Sequence, residues 1–163
     1  MAKWCWLVVI LVALDQLTKW LAENTFTYGE RVNILPMFDL TLVYNTGAAF
    51  SFLASGSGWQ RWVLIAIAIV AIIFISWLLK HEHKRALTAL SLTLILSGAM
   101  GNLIDRVLLG HVIDFLLFYR HNWYFPAFNI ADIAISVGAV LLVFDEWRRW
   151  RQATALRRKE ESS

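Results

Sequence analysis

"FNIADIAISVGAVLLVF", residues 128–144, decides how this chain must be read. After Ile133 it holds no charge until Asp145, as in a segment built for lipid, yet Asp132 stands near its start. A carboxylate at the centre of a bilayer costs about 2.5–3.5 kcal/mol on insertion scales, and less toward the interface. Either Asp132 lies at a membrane edge or it has a task that justifies its presence.

The composition around it favours a membrane protein. The chain has 163 residues, 59% of them hydrophobic and 17% charged. A soluble protein of this size cannot bury so much apolar surface. The net charge is +3, and the basic residues are not interleaved with a stacking platform, so nucleic acid is not expected as a partner. The single cysteine, Cys5, lies in an apolar run; it excludes an internal disulfide framework and reads as a small hydrophobe.

Working outward, four runs approach the length of a span, at about residues 4–22, 62–79, 86–104 and 127–144. In lipid they must be helices, because an open strand leaves backbone groups unpaired. The first follows Lys3 and resembles a secretory leader, but no small-x-small cleavage site comes after it, so a retained span is expected. Lys and Arg outside the spans divide ten to four in favour of the side that holds both termini. This predicts an N-in, C-in topology. Tryptophans agree: Trp4, Trp6, Trp77, Trp147 and Trp150 fall at the proposed inner ends, and Trp20, Trp59, Trp62 and Trp123 at the outer ends. Three segments remain. A long outer loop, about 28–58, contains "NILPMFDLTLVYN" and then "SGSG", which reads as short strands followed by a turn. A second outer loop covers 105–126, and a charged tail 148–163 continues as a helix end or is disordered. The expected fold is a single all-α membrane domain of four transmembrane helices with a small β-rich outer element.

The polar residues within these runs share one depth. Asp15 and Lys19 are four apart near the outer end of the first span, and a structural ion pair snorkelling to the edge is the plain reading. Asn102, Asp105 and Arg106 close the third span, Asn129 and Asp132 open the fourth, and Asp114 lies between. "HEHKR" at His81 lacks the i, i+4 histidine pair of a zinc helix, and "GSG" around Ser57 is a turn. No metal or cofactor is called for. Two carboxylates in close approach, Asp114 and Asp132, can share one proton and act as acid and base on a single water. Spacing alone leaves two other classes open: a proton or ion carrier using the same carboxylates, and a structural subunit in which they serve only packing.

At these residues the chain resembles bacterial lipoprotein signal peptidase, also called signal peptidase II. "DQLTK" (15–19), "YNTGAAFS" (44–51), "GNLIDR" (101–106), "HVIDF" (111–115) and "FNIAD" (128–132) look like that family's blocks, in its order. The resemblance implies an aspartyl endopeptidase of the bacterial cytoplasmic (inner) membrane. Such an enzyme removes the signal peptide from prolipoproteins whose lipobox cysteine carries a diacylglyceryl group. It further implies Asp114 and Asp132 as the catalytic pair, Asn45 and Arg106 as substrate-contacting or site-ordering residues, and Asp15, Asn102 and Asn129 as their polar shell. The β-rich loop would be a cradle at the extracytoplasmic face. Expected partners are the lipidated prolipoprotein and membrane lipid, with the enzyme a monomer.

Overall fold

A computed structural model describes residues 1–47 and 58–161. Ala48–Ser51 of the "YNTGAAFS" block and most of the "SGSG" turn lie outside the described residues. The elements run α1 (Ala2–Thr25), β1 (Arg31–Leu35), β2 (Phe38–Asn45), α2 (Trp59–Glu82), α3 (Ala86–Leu108), β3 (Val112–Arg120), β4 (Trp123–Tyr124) and α4 (Ile130–Glu161).

Three of these helices, α1, α2 and α3, are long and apolar enough to cross a membrane. The fourth differs from the other three. Its apolar stretch is bounded by Asp132 and by Asp145 and Glu146, and the helix then continues through the charged residues after Arg148. It starts at Ile130 rather than near 127, because Phe128 forms an isolated antiparallel bridge with Leu116 of β3. That bridge keeps the preceding backbone extended, as the residue before Pro126 also favours.

Helix α3 packs against α1, α2 and α4 and, among the described residues, holds more buried residues than any other helix. Its contact with α4 is close. A Cβ at Gly98 would stand 2.3 Å from the carbonyl oxygen of Ala131, so no larger residue fits there without moving a backbone. Trp4, Val8, Leu79, Ala89, Leu92 and Leu96 form the apolar core.

Polarity is distributed in reverse of a water-soluble protein. Val70 and Val143 are 67% and 70% exposed, whereas Asp15 and Lys19 are 2% and 1% exposed. Apolar side chains facing outward along helices of this length fit a hydrocarbon solvent.

The strands form one antiparallel sheet in the order β1-β2-β3-β4. The register of β2 on β3 sets Val43 opposite Asp114 and Asn45 opposite Val112, with an irregularity between Leu40 and Val43. Successive residues alternate faces, so Asn45 and Asp114 become diagonal neighbours on one face.

Candidate active site

Asp114 is carried by β3 and is 2% exposed. One carboxylate oxygen accepts a hydrogen bond from Asn45 Nδ2 at 3.1 Å, the partner that the strand register supplies. The other accepts from Asn129 Nδ2 at 2.7 Å.

Asn129 is the N-cap of α4. Its Oδ1 accepts the backbone N–H of Asp132 at 3.0 Å, and Asp132 Oδ2 accepts the backbone N–H of Asn129 at 3.3 Å. This reciprocal pair is a capping box in an Asn-x-x-Asp form, and it satisfies two orphan donors of the helix start. Capping therefore explains locally why Asp132 points back toward the strand layer. It also makes Asn129 a bridge: one residue touches both carboxylates.

The second oxygen of Asp132 accepts from Asn102 Nδ2 at 2.8 Å. Lys19 determines this orientation, because its ammonium donates to Asn102 Oδ1 at 3.0 Å and an ammonium has only donors to offer. The amide nitrogen of Asn102 must then face Asp132. Lys19 also pairs with Asp15 at 2.9 Å and with Asp105 at 2.8 Å. The expected Asp15–Lys19 contact is present, but it does not snorkel; it is enclosed, because Asp105 and Asn102 supply the partners that water would have supplied. Gln16 Nε2 donates to Asp105 Oδ1 at 2.8 Å, and Asp15 Oδ1 accepts the Ala131 N–H at 2.9 Å. Gly101 makes room for this cluster: a Cβ there would stand 2.3 Å from Asp15 Oδ2.

Arg106 is the remaining cation. It donates to the carbonyls of Gly47 at 2.9 Å and Asn102 at 3.2 Å. A cavity of about 540 Å³ opens between α4 and the sheet, lined by Asn45, Arg106, Asp114 and Asp132. Its other wall is apolar, with Phe125, Phe128, Ile133 and Val137 among the contributors.

Burial first, and then the neighbouring Asp132 carboxylate, together push the Asp114 carboxyl up to about 7, against the lowering effect of the Asn45 and Asn129 hydrogen bonds. A carboxyl group that is partly protonated at neutral pH, beside a second carboxyl group in a half-apolar cavity, is a setting for proton transfer.

The structure brings together all seven residues singled out in the sequence: Asp15, Asn45, Asn102, Arg106, Asp114, Asn129 and Asp132. Sequence reasoning did not include Gln16, Lys19 or Asp105 in the site. The i, i+4 spacing matches Lys19 to Asp15 alone, and Asp105 gives no signal beyond its depth. The Asn-x-x-Asp spacing at 129–132 is a capping signal that the sequence itself carries.

A family model described as signal peptidase (SPase) II matches residues 7–148. The lipoprotein signal peptidases of Burkholderia thailandensis and Burkholderia mallei are each 53% identical to this chain over 153 residues, covering 94% of it and 92% of each relative. That of Burkholderia vietnamiensis is 52% identical over 151 residues, covering 93% and 91%. A solved structure described as a bacterial membrane enzyme superposes with a TM-score of 0.81 at 29% identity, covering 91% of this chain and 89% of that one. A second, described in the same words, gives 0.74 at 28% identity, covering 89% and 92%.

Proposed function

Because this chain belongs to the signal peptidase II family, we propose that it removes signal peptides from diacylglyceryl-modified prolipoproteins by an aspartyl mechanism. The cut falls before the lipidated cysteine. One observation carries the mechanism: Asp114 and Asp132 open on the same cavity and are joined by Asn129, with Asp114 able to keep a proton at neutral pH.

In this reading the pair holds one proton, resting on Asp114. Asp132 takes a proton from the attacking water as its oxygen bonds to the scissile carbonyl carbon. Asp114 gives its proton to the carbonyl oxygen. On collapse, the proton held by Asp132 passes to the leaving nitrogen as the carbon–nitrogen bond breaks, and a hydroxyl proton of the intermediate returns to Asp114. Asn45, Asn102 and Asn129 keep both carboxylates aimed at the cavity, and Arg106 ties the chain after β2 to α3. The apolar wall suits acyl chains and a signal helix that stay in lipid, so only the reacting amide needs water.

The same reading makes α4 a fourth span and puts both termini in the cytoplasm. The site then lies at the extracytoplasmic face of the inner membrane of a monomeric enzyme. A proton-carrier reading is disfavoured by α3, where the hydroxyls of Ser91, Thr93 and Ser97 donate to carbonyls of their own helix instead of continuing a polar path.

The test uses purified enzyme and a lipidated prolipoprotein. Asp114→Asn and Asp132→Asn are each expected to remove cleavage while the protein still inserts. Full cleavage by either variant rejects the two-aspartate mechanism.

A further inference from the structure

Helix α3 ends in the corner that turns the chain into β3, and its last carbonyls are satisfied from another helix. Leu109 N and Gly110 N both donate to the Asp105 carbonyl, at 2.7 and 3.2 Å. The next two carbonyls, of Arg106 and Val107, accept from Arg61 Nε at 2.8 Å and Arg61 Nη2 at 2.9 Å. Arg61 lies in the first turn of α2. A planar guanidinium fork can serve two adjacent carbonyls at once, and its charge complements the negative end of α3. Gly110 leaves the room for it. Its φ is +86°, a conformation that side-chain-bearing residues rarely adopt, and a Cβ there would stand 3.1 Å from Arg61 Nη1.

Two routes lead from this corner to the same aspartate. The backbone runs from Gly110 into β3 and reaches Asp114 within that strand. The side chains run from Arg106, whose guanidinium donates to the Gly47 carbonyl, to Gly47, whose N–H donates to Asn45 Oδ1 at 3.0 Å, and from Asn45 to Asp114.

We propose that Arg61 is a positioning residue, a clamp on the α3–β3 corner that fixes Asp114 and Arg106 relative to each other. The inference rests on the peptidase reading above. Arg61 is absent from the cavity lining, so its effect acts through the groups it holds.

The test measures kcat and KM per folded molecule for R61M, R61K and G110A, with a lipidated prolipoprotein as substrate and the intrinsic tryptophan spectrum as the control for folding. R61M is expected to lose kcat by about tenfold or more with KM within about twofold, since small misplacements of reacting groups cost rate before binding. R61K keeps the cation but not the fork, and should not restore kcat. G110A crowds the guanidinium and should lower kcat as well, while R61M/G110A should be no slower than G110A alone. Wild-type kcat in folded R61M overturns the inference; if R61M does not accumulate, wild-type kcat in R61K does so. A wild-type enzyme that fails to cut the substrate rejects the peptidase reading instead. The clamp is then judged by amide hydrogen exchange at Leu109 and Gly110, which should quicken in R61M and which overturns the clamp if unchanged.

Discussion

Asp114 is the side chain on which pH acts most directly. Its carboxyl is raised to about 7, mainly by burial. If it must be protonated to work, kcat/KM should fall as pH rises through about 7, with an apparent value that belongs to the coupled pair with Asp132. A rate that is flat from pH 6 to pH 9 would contradict this. The same shift has a consequence for stability. A carboxyl raised above its unfolded value contributes stability that is fully present below about pH 4 and lost as pH rises through about 7. Asp114→Asn carries no charge at any pH, so at pH 8 it should unfold about 2 °C or more above the wild type, despite being inactive. Lys19 predicts the opposite outcome. Lys19→Met leaves Asp15 and Asp105 enclosed without their shared cation. Breaking a buried pair in this way costs about 3–5 kcal/mol, readable as a large fall in the detergent unfolding midpoint.

The start of α4 joins structural and chemical roles in one residue, and substitution can separate them. Asn129→Ser retains an N-cap oxygen but cannot reach Asp114. The cap itself should survive, because serine and asparagine cap about equally well. Stability should still fall by about 1–3 kcal/mol, because the buried Asn129 amide also donates to Asn102 Oδ1 and the Ile113 carbonyl and these acceptors lose their donor. Cleavage should fall severely, because the bond from Asn129 Nδ2 to Asp114 is lost. Wild-type cleavage per folded molecule in Asn129→Ser would mean the bridge has no separate chemical role. Much at this scale was legible in the sequence. Asn129 and Asp132 are three apart, which placed them on one helix face, and the strand-like "FDLTLVYN" is β2. The register of β2 on β3 was not legible. It depends on an irregularity between Leu40 and Val43 that no turn residue marks, yet it is what brings Asn45 beside Asp114. Asp105 was equally hidden, since its partners Lys19 and Gln16 come from a helix remote in sequence.

For the molecule as a whole, charge bias and tryptophan placement predict one orientation in the membrane. In a Cys5→Ala background, Asn122→Cys in the β3–β4 turn should react with a membrane-impermeant thiol reagent on spheroplasts. Thr154→Cys near the end of α4 should react only after permeabilisation. Labelling of both from outside would overturn the orientation. The overall class was legible because hydrocarbon and water impose different patterns along a chain. The grouping of the seven site residues was legible through their shared depth and the family blocks, while the contacts among them were not, since nothing in spacing reports contact. The sheet register carries one further implication, for how preparations of the protein would behave. Strand side chains alternate faces, so a one-residue slip of β3 against β2 would turn Asp114 away from the cavity and present Ile113 or Phe115 instead. Such molecules could keep their helices and their size, and so resemble the active protein in helix content and chromatography. The turnover of a batch would then count correctly paired strands rather than folded protein, and titration with a tight active-site ligand would reveal the inert remainder.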